Sequence, residues 1–137
     1  MDREHAWRLV ESARVATLAT LRPDGSPRLV PSVFALHAAG MYLPVDDKPK
    51  RTRALARLAD IEREPRVGVL VQSWSEDWSR LWWVRLDGTA ALAANEELEG
   101  ARARLLERYP QYIDGARLDP VIAVSVTSWT GWRADGA

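Results

Sequence analysis

The sequence predicts an α+β domain that is mainly β, built on an antiparallel, barrel-like sheet. Three observations predict it. Short strand-like segments follow one another through tight turns in the first half of the chain. Helical segments are few and do not alternate with strands, as a parallel doubly wound sheet would require. Hydrophobic residues make up 47% of 137 residues and charged ones 28%, which suits one ordinary soluble domain able to bury its own core.

The elements follow in order. Ala6, Trp7, Val10 and Ala13 recur at helical spacing and predict a helix over 3–13. Arg14 to Leu21 is rich in Val, Thr and Leu and reads as a strand. Arg22-Pro23-Asp24-Gly25-Ser26-Pro27 is a turn, because Pro fixes one φ and Gly permits a positive one. Arg28 to Leu36 returns as a second strand, with Pro31 marking an edge or a bulge. Met41 to Val45 is a short third strand.

Asp46 to Arg51 is a polar loop, and Thr52 can cap a helix to about Ile61 with Leu55, Leu58 and Ile61 on its buried stripe. Arg66 to Gln72 is a fourth strand. Ser79 to Ala94 is a long strand with a bend expected at Gly88. Asn95 can cap a helix through Tyr109, whose acids come first and whose arginines come later, as the helix dipole prefers. Val121 to Trp129 is the last strand. The order is α-βββ-α-ββ-α-β, in a single domain over 1–137.

Composition removes several function classes. Lys plus Arg equals Asp plus Glu at 19 each, so the chain is neither a nucleic-acid coat nor an electrostatic membrane binder. There is no cysteine, hence no disulfide, thiolate nucleophile or cysteine metal site. No apolar run approaches the ~20 residues that span a bilayer, and the charged N-terminus is unlike a signal peptide. A cytoplasmic protein is expected. His5 and His37 have no neighbour at metal-ligand spacing, so no metal is expected. Nucleophile elbow, dinucleotide fingerprint and P-loop are all missing. Any demanding chemistry would then belong to a cofactor.

Two segments can carry that chemistry. Lys48, Lys50, Arg51 and Arg53 put four cations in six residues between a strand and a helix. A helix start offers free N–H groups and partial positive charge, and Lys and Arg add phosphate donors. The run fits either a phosphate site or a solvated basic loop. The second segment holds Trp74, Trp78, Trp82 and Trp83, four of the seven tryptophans. On a strand, Leu81, Trp83 and Arg85 share one face and Trp82, Val84 and Leu86 the other. Both faces therefore need cover, from core and subunit packing or from a planar ligand.

The hairpin Val15-Ala16-Thr17-Leu18-Ala19-Thr20 … Asp24-Gly25-Ser26-Pro27-Arg28-Leu29-Val30-Pro31 resembles the opening of the pyridoxamine 5′-phosphate oxidase-like superfamily. Asp46-Asp47-Lys48-Pro49-Lys50-Arg51-Thr52, Asp77 to Arg85 and Trp129-Thr130-Gly131-Trp132 are similar to a branch of F420-dependent oxidoreductases of actinobacteria. The resemblance covers about residues 5 to 133. It implies a split β-barrel with flanking helices, assembled as a homodimer with two sites at the subunit interface. It implies the deazaflavin coenzyme F420 as cofactor, with FMN as the alternative and haem in occasional relatives, and a small conjugated organic substrate. Carried over by position, Lys48, Lys50 and Arg51 would meet the cofactor phosphate. Val30, Pro31, Ser32, Val45 and Asp46 would flank the ring, and Trp78, Trp82 and Trp83 would wall it. The phosphate residues that pyridoxamine oxidases use for their substrate have no matching set here. Arg85 and Tyr42 are candidate proton donors.

Overall fold

The computed structural model describes residues 1–45, 51–112 and 118–137 and, for residues 51–55, the backbone alone. Helix α1 covers Arg3–Ser12, with Asp2 as its cap accepting from His5 N–H at 2.8 Å. Strands β1 (Ala16–Leu21), β2 (Pro27–Ser32), β3 (Ala35–His37) and β4 (Gly40–Pro44) precede helix α2 (Arg51–Arg63). Strand β5 (Arg66–Ser73), a 3-10 turn at Trp78–Arg80 and strand β6 (Trp82–Leu92) follow, then helix α3 (Asn95–Arg108) and strand β7 (Val121–Arg133).

The strands form one curled antiparallel sheet, in the order β2-β1-β5-β6-β7-β4-β3. Its concave face carries Leu18, Val69, Val71, Val84, Leu86, Ile122, Val124, Met41 and Leu43. Ala6 and Val10 of α1 and Ile61 of α2 close over that face. Helix α3 lies on the opposite side. Its Ala101 and Leu105 pack with Ala35, Tyr42 and Val121 at the β3-β4-β7 end. The convex face is thus covered at one end and bare at the β2-β1-β5-β6 end.

Four boundaries differ from expectation. The segment 28–36 is two strands, because β2 pairs with β1 while β3 turns away to pair with β4 at the far edge. Helix α2 starts at Arg51, which leaves Thr52 inside it rather than capping it. Ser79 lies in the 3-10 turn, where Asp77 Oδ1 accepts from its N–H at 3.1 Å and its hydroxyl at 2.6 Å. Asn95 has a φ of 56° and makes no cap hydrogen bond; Ala94 holds the cap position. The expected bend at Gly88 coincides with the register shift between Asp87 and Gly88. Gly40 is required by close approach, since a Cβ there would stand 1.8 Å from the Val124 carbonyl oxygen.

Candidate functional site: the bare convex face

Strand pleat sends alternate residues to the convex face, and the register aligns them in rows. One row runs Pro31, Thr17, Leu70, Arg85, Thr130. A second runs Leu29, Ala19, Gly68, Asp87, Ser128. A third sets Gln72 opposite Trp83, and Trp83 opposite Trp132. Leu29 is 66% exposed and Trp132 48%, values far above those of core residues on the same strands.

The result is a platform with small residues at its centre and aromatic rings at one end. Arg85 Nε stands 3.4 Å from Asp87 Oδ2, so the platform holds its own ion pair among apolar neighbours. Beside it a depression of about 310 Å³ is floored by Ala19 and Gly68 and rimmed by Leu21, Pro27, Arg66 and Asp87. Trp74 and Trp78 stand on the β5–β6 connection in an edge contact with centroids 6.4 Å apart. The C-terminal tail braces that connection through Gly136 N–H to Ser79 O at 2.8 Å and Ala134 N–H to Leu81 O at 2.9 Å.

The residues expected around a cofactor are divided by this geometry. Pro31 and Trp83 point to the platform, and Trp78 is exposed on its connection. Val30 points inward and packs on the core, and Ser32 is buried with its hydroxyl donating to Val33 O at 2.8 Å. Val45 and Trp82 are core residues, 5% and 7% exposed. Asp46, Lys48 and Lys50 lie outside the described residues, as does the Arg51 side chain. Of the two candidate proton donors, Arg85 is on the platform. Tyr42 is not; it stacks on His37 beneath α3, with its hydroxyl 3.4 Å from Glu97. Among the described residues, no cluster of His, Asp or Glu gathers that could hold a metal ion. No described helix is long and apolar enough to cross a membrane.

One group escaped sequence reasoning. Asp60 of α2 is 1% exposed, and its carboxylate accepts from Thr20 Oγ1 at 2.8 Å and Arg28 Nε at 2.6 Å. Arg63 adds a contact at 3.5 Å. Burial pushes this carboxyl up, but hydrogen bonds from Arg28 and Thr20, with the charges of Arg28 and Arg63, hold it below the usual value. A signal was available: Thr20 and Arg28 face each other on the core side of β1 and β2, and two polar groups there demand a buried partner.

The family model for pyridoxamine 5′-phosphate oxidase matches residues 3–133. The chain belongs to the pyridoxamine 5′-phosphate oxidase family. No curated protein matches it. Among solved structures, the conserved hypothetical protein Rv2991 from Mycobacterium tuberculosis is 24% identical, with a TM-score of 0.75 over 97% of this chain and 85% of that one. A FAD-binding protein from Mesorhizobium loti is 20% identical, with a TM-score of 0.69 over 96% and 94%. HutZ, the haem storage protein of Vibrio cholerae, is 15% identical, with a TM-score of 0.71 over 96% and 93%. These likenesses show the fold that the oxidase family shares.

Proposed function

We propose that this member of the oxidase family is an oxidoreductase. It uses F420 for hydride transfer to a small conjugated organic substrate, as a homodimer whose sites lie on the bare convex face. The observation that carries the reading is the platform itself. An exposed sheet face with small residues at its centre and the Trp83–Trp132 pair at one end suits a planar ring system. Pro31, Trp83 and Trp78 are the aromatic and apolar contacts proposed for the ring. Lys48, Lys50 and Arg51 are proposed for the phosphate, since they enter α2 where a helix start already favours an anion.

A bound deazaflavin supplies the hydride. The chain supplies orientation and electrostatics. Arg85, tethered by Asp87, presents a guanidinium at the centre of the platform and can hold an electron-poor carbonyl. The exposed aromatic and apolar surface exceeds what a monomer comfortably leaves wet, which favours a second copy as cover.

The test is a fluorescence titration with F420 and with FMN on wild type and Lys50→Ala. F420 is expected to bind more tightly than FMN, and Lys50→Ala to lose about tenfold or more in F420 affinity. Equal affinity for the two, or no loss in the variant, refutes the F420 reading. Light scattering should return a dimer; a monomer contradicts the assembly. An FMN-dependent enzyme, or a protein that only binds a flavin, is the second reading. It is favoured by the FAD-binding and haem storage proteins of the same fold. Protein that purifies yellow and releases FMN on denaturation would select it.

A further inference from the structure

We propose that Asp60 is a positioning residue for the cofactor: its carboxylate clamps α2 onto the β1–β2 hairpin, holding the start of α2 and the platform surface of β2 in one register. The inference rests on the phosphate reading above. Its basis is the chain of contacts. Thr20 and Arg28 are cross-strand partners on the concave side, and both reach the same Asp60 oxygen, at 2.8 and 2.6 Å. Arg63, one turn further along α2, contacts the other oxygen and also donates to the Leu21 carbonyl. One buried carboxylate therefore fastens the last turn of α2 to both strands of the hairpin.

The same two elements face the proposed ligand on their other ends. Residues Leu29 and Pro31 of β2 alternate with Arg28 and lie on the platform. Helix α2 runs from Arg51 to Arg63 without interruption, so fixing its last turn also fixes its first. A ligand that places a ring on the platform and a phosphate at the helix start needs both at one fixed separation. A ligand with no phosphate needs only the platform. The clamp should then act on the gain in affinity that a phosphate confers, as the second site of a bivalent ligand acts only at the right span.

The experiment compares FMN with riboflavin, and F420 with its phosphate-free deazaflavin riboside, on wild type, Asp60→Asn, Thr20→Val and Thr20→Ser. The readout is the affinity ratio within each pair. Wild type should prefer the phosphorylated member. Asp60→Asn should cut that preference by about tenfold, Thr20→Val by less, and Thr20→Ser, which keeps the hydroxyl, should retain it. A purely structural role would lower Tm and weaken both members alike, leaving the ratio unchanged; that result overturns the proposal. Should Asp60→Asn not fold, Thr20→Val against Thr20→Ser decides by the same ratio. A wild type with no preference within either pair overturns the phosphate reading and this proposal with it. A wild-type preference that persists in Asp60→Asn overturns this proposal alone.

Discussion

Two tyrosine hydroxyls test how far the hydrogen-bond network can be read as energy. Tyr109 is 5% exposed, and its hydroxyl accepts from Phe34 N–H at 3.1 Å and Arg108 Nε–H at 3.1 Å while donating to Arg14 O at 2.9 Å. Tyr109→Phe keeps the ring, and with it the Arg14 guanidinium 4.6 Å from the ring centre. Only the hydroxyl is lost. Phe34 is fully buried, so its N–H has no water to turn to, and an orphaned buried donor costs roughly 1–3 kcal/mol. Arg108 retains its bonds to the Glu11 and Ala13 carbonyls, and Arg14 lies at the surface, so neither adds much. The expected loss is about 2–3 kcal/mol. For 137 residues at ~2.1 cal/mol/K each, that lowers Tm by about 7–10 °C. Tyr42→Phe is the contrast. Its hydroxyl bond to Glu97 is long, at 3.4 Å, and Glu97 is exposed and rehydrates, so the loss should stay under about 0.5 kcal/mol. Urea unfolding at constant m-value measures both. A Tyr109→Phe variant within 0.5 kcal/mol of wild type, or no more damaged than Tyr42→Phe, would refute the reasoning.

Further outcomes follow from burial and charge. Trp82→Ala empties a core site and should cost about 3–5 kcal/mol, whereas Trp78→Ala, at 68% exposure, should stay within about 0.5 kcal/mol; equal midpoints in urea would count against the assignment of faces. Burial lowers the His37 imidazole, with Arg104 assisting and Glu97 opposing, so the unfolded chain binds the proton more readily. Stability from this group is complete above about pH 6.5 and is lost as pH falls from there toward the folded value; His37→Gln should flatten the slope of unfolding free energy between about pH 7 and 5. Asp60 is held below its unfolded value, so its contribution is present above about pH 4 and is lost as pH falls through the folded value; an acid transition no steeper in wild type than in Asp60→Asn would contradict it.

The elements were legible where periodicity carried them. The alternation in β6 put Trp82, Val84 and Leu86 on one face and Trp83 and Arg85 on the other, and the sheet keeps that division. Neighbourhood was not legible. Nothing local says that β1 lies beside β5, or β4 beside β7, because those pairings are set by how the curled sheet closes over its helices. The break after Ser32 was missed for the same reason: Val33 and Phe34 continue a strand-like composition while the chain crosses to another edge. Asp60 was missed because helical periodicity looks for apolar residues, and α2 buries Arg57 and Asp60 beside Ile61.

The tryptophans show why sequence clustering and spatial clustering diverge. Trp82 and Trp83 are consecutive, yet one belongs to the core and the other to the platform, because a strand sends neighbours to opposite faces. Trp129 and Trp132 are three apart and separate in the same way. Trp129 turns inward to meet Trp7 of α1 in an edge contact at 6.0 Å, while Trp132 faces outward opposite Trp83. Helix α3 covers the convex face only at the β3-β4-β7 end, so Trp83 and Trp132 have no cover from their own chain's helices. A sequence that spends aromatic residues on an uncovered face must meet either a second copy or a ring there, and the family's fold supplies the frame for both.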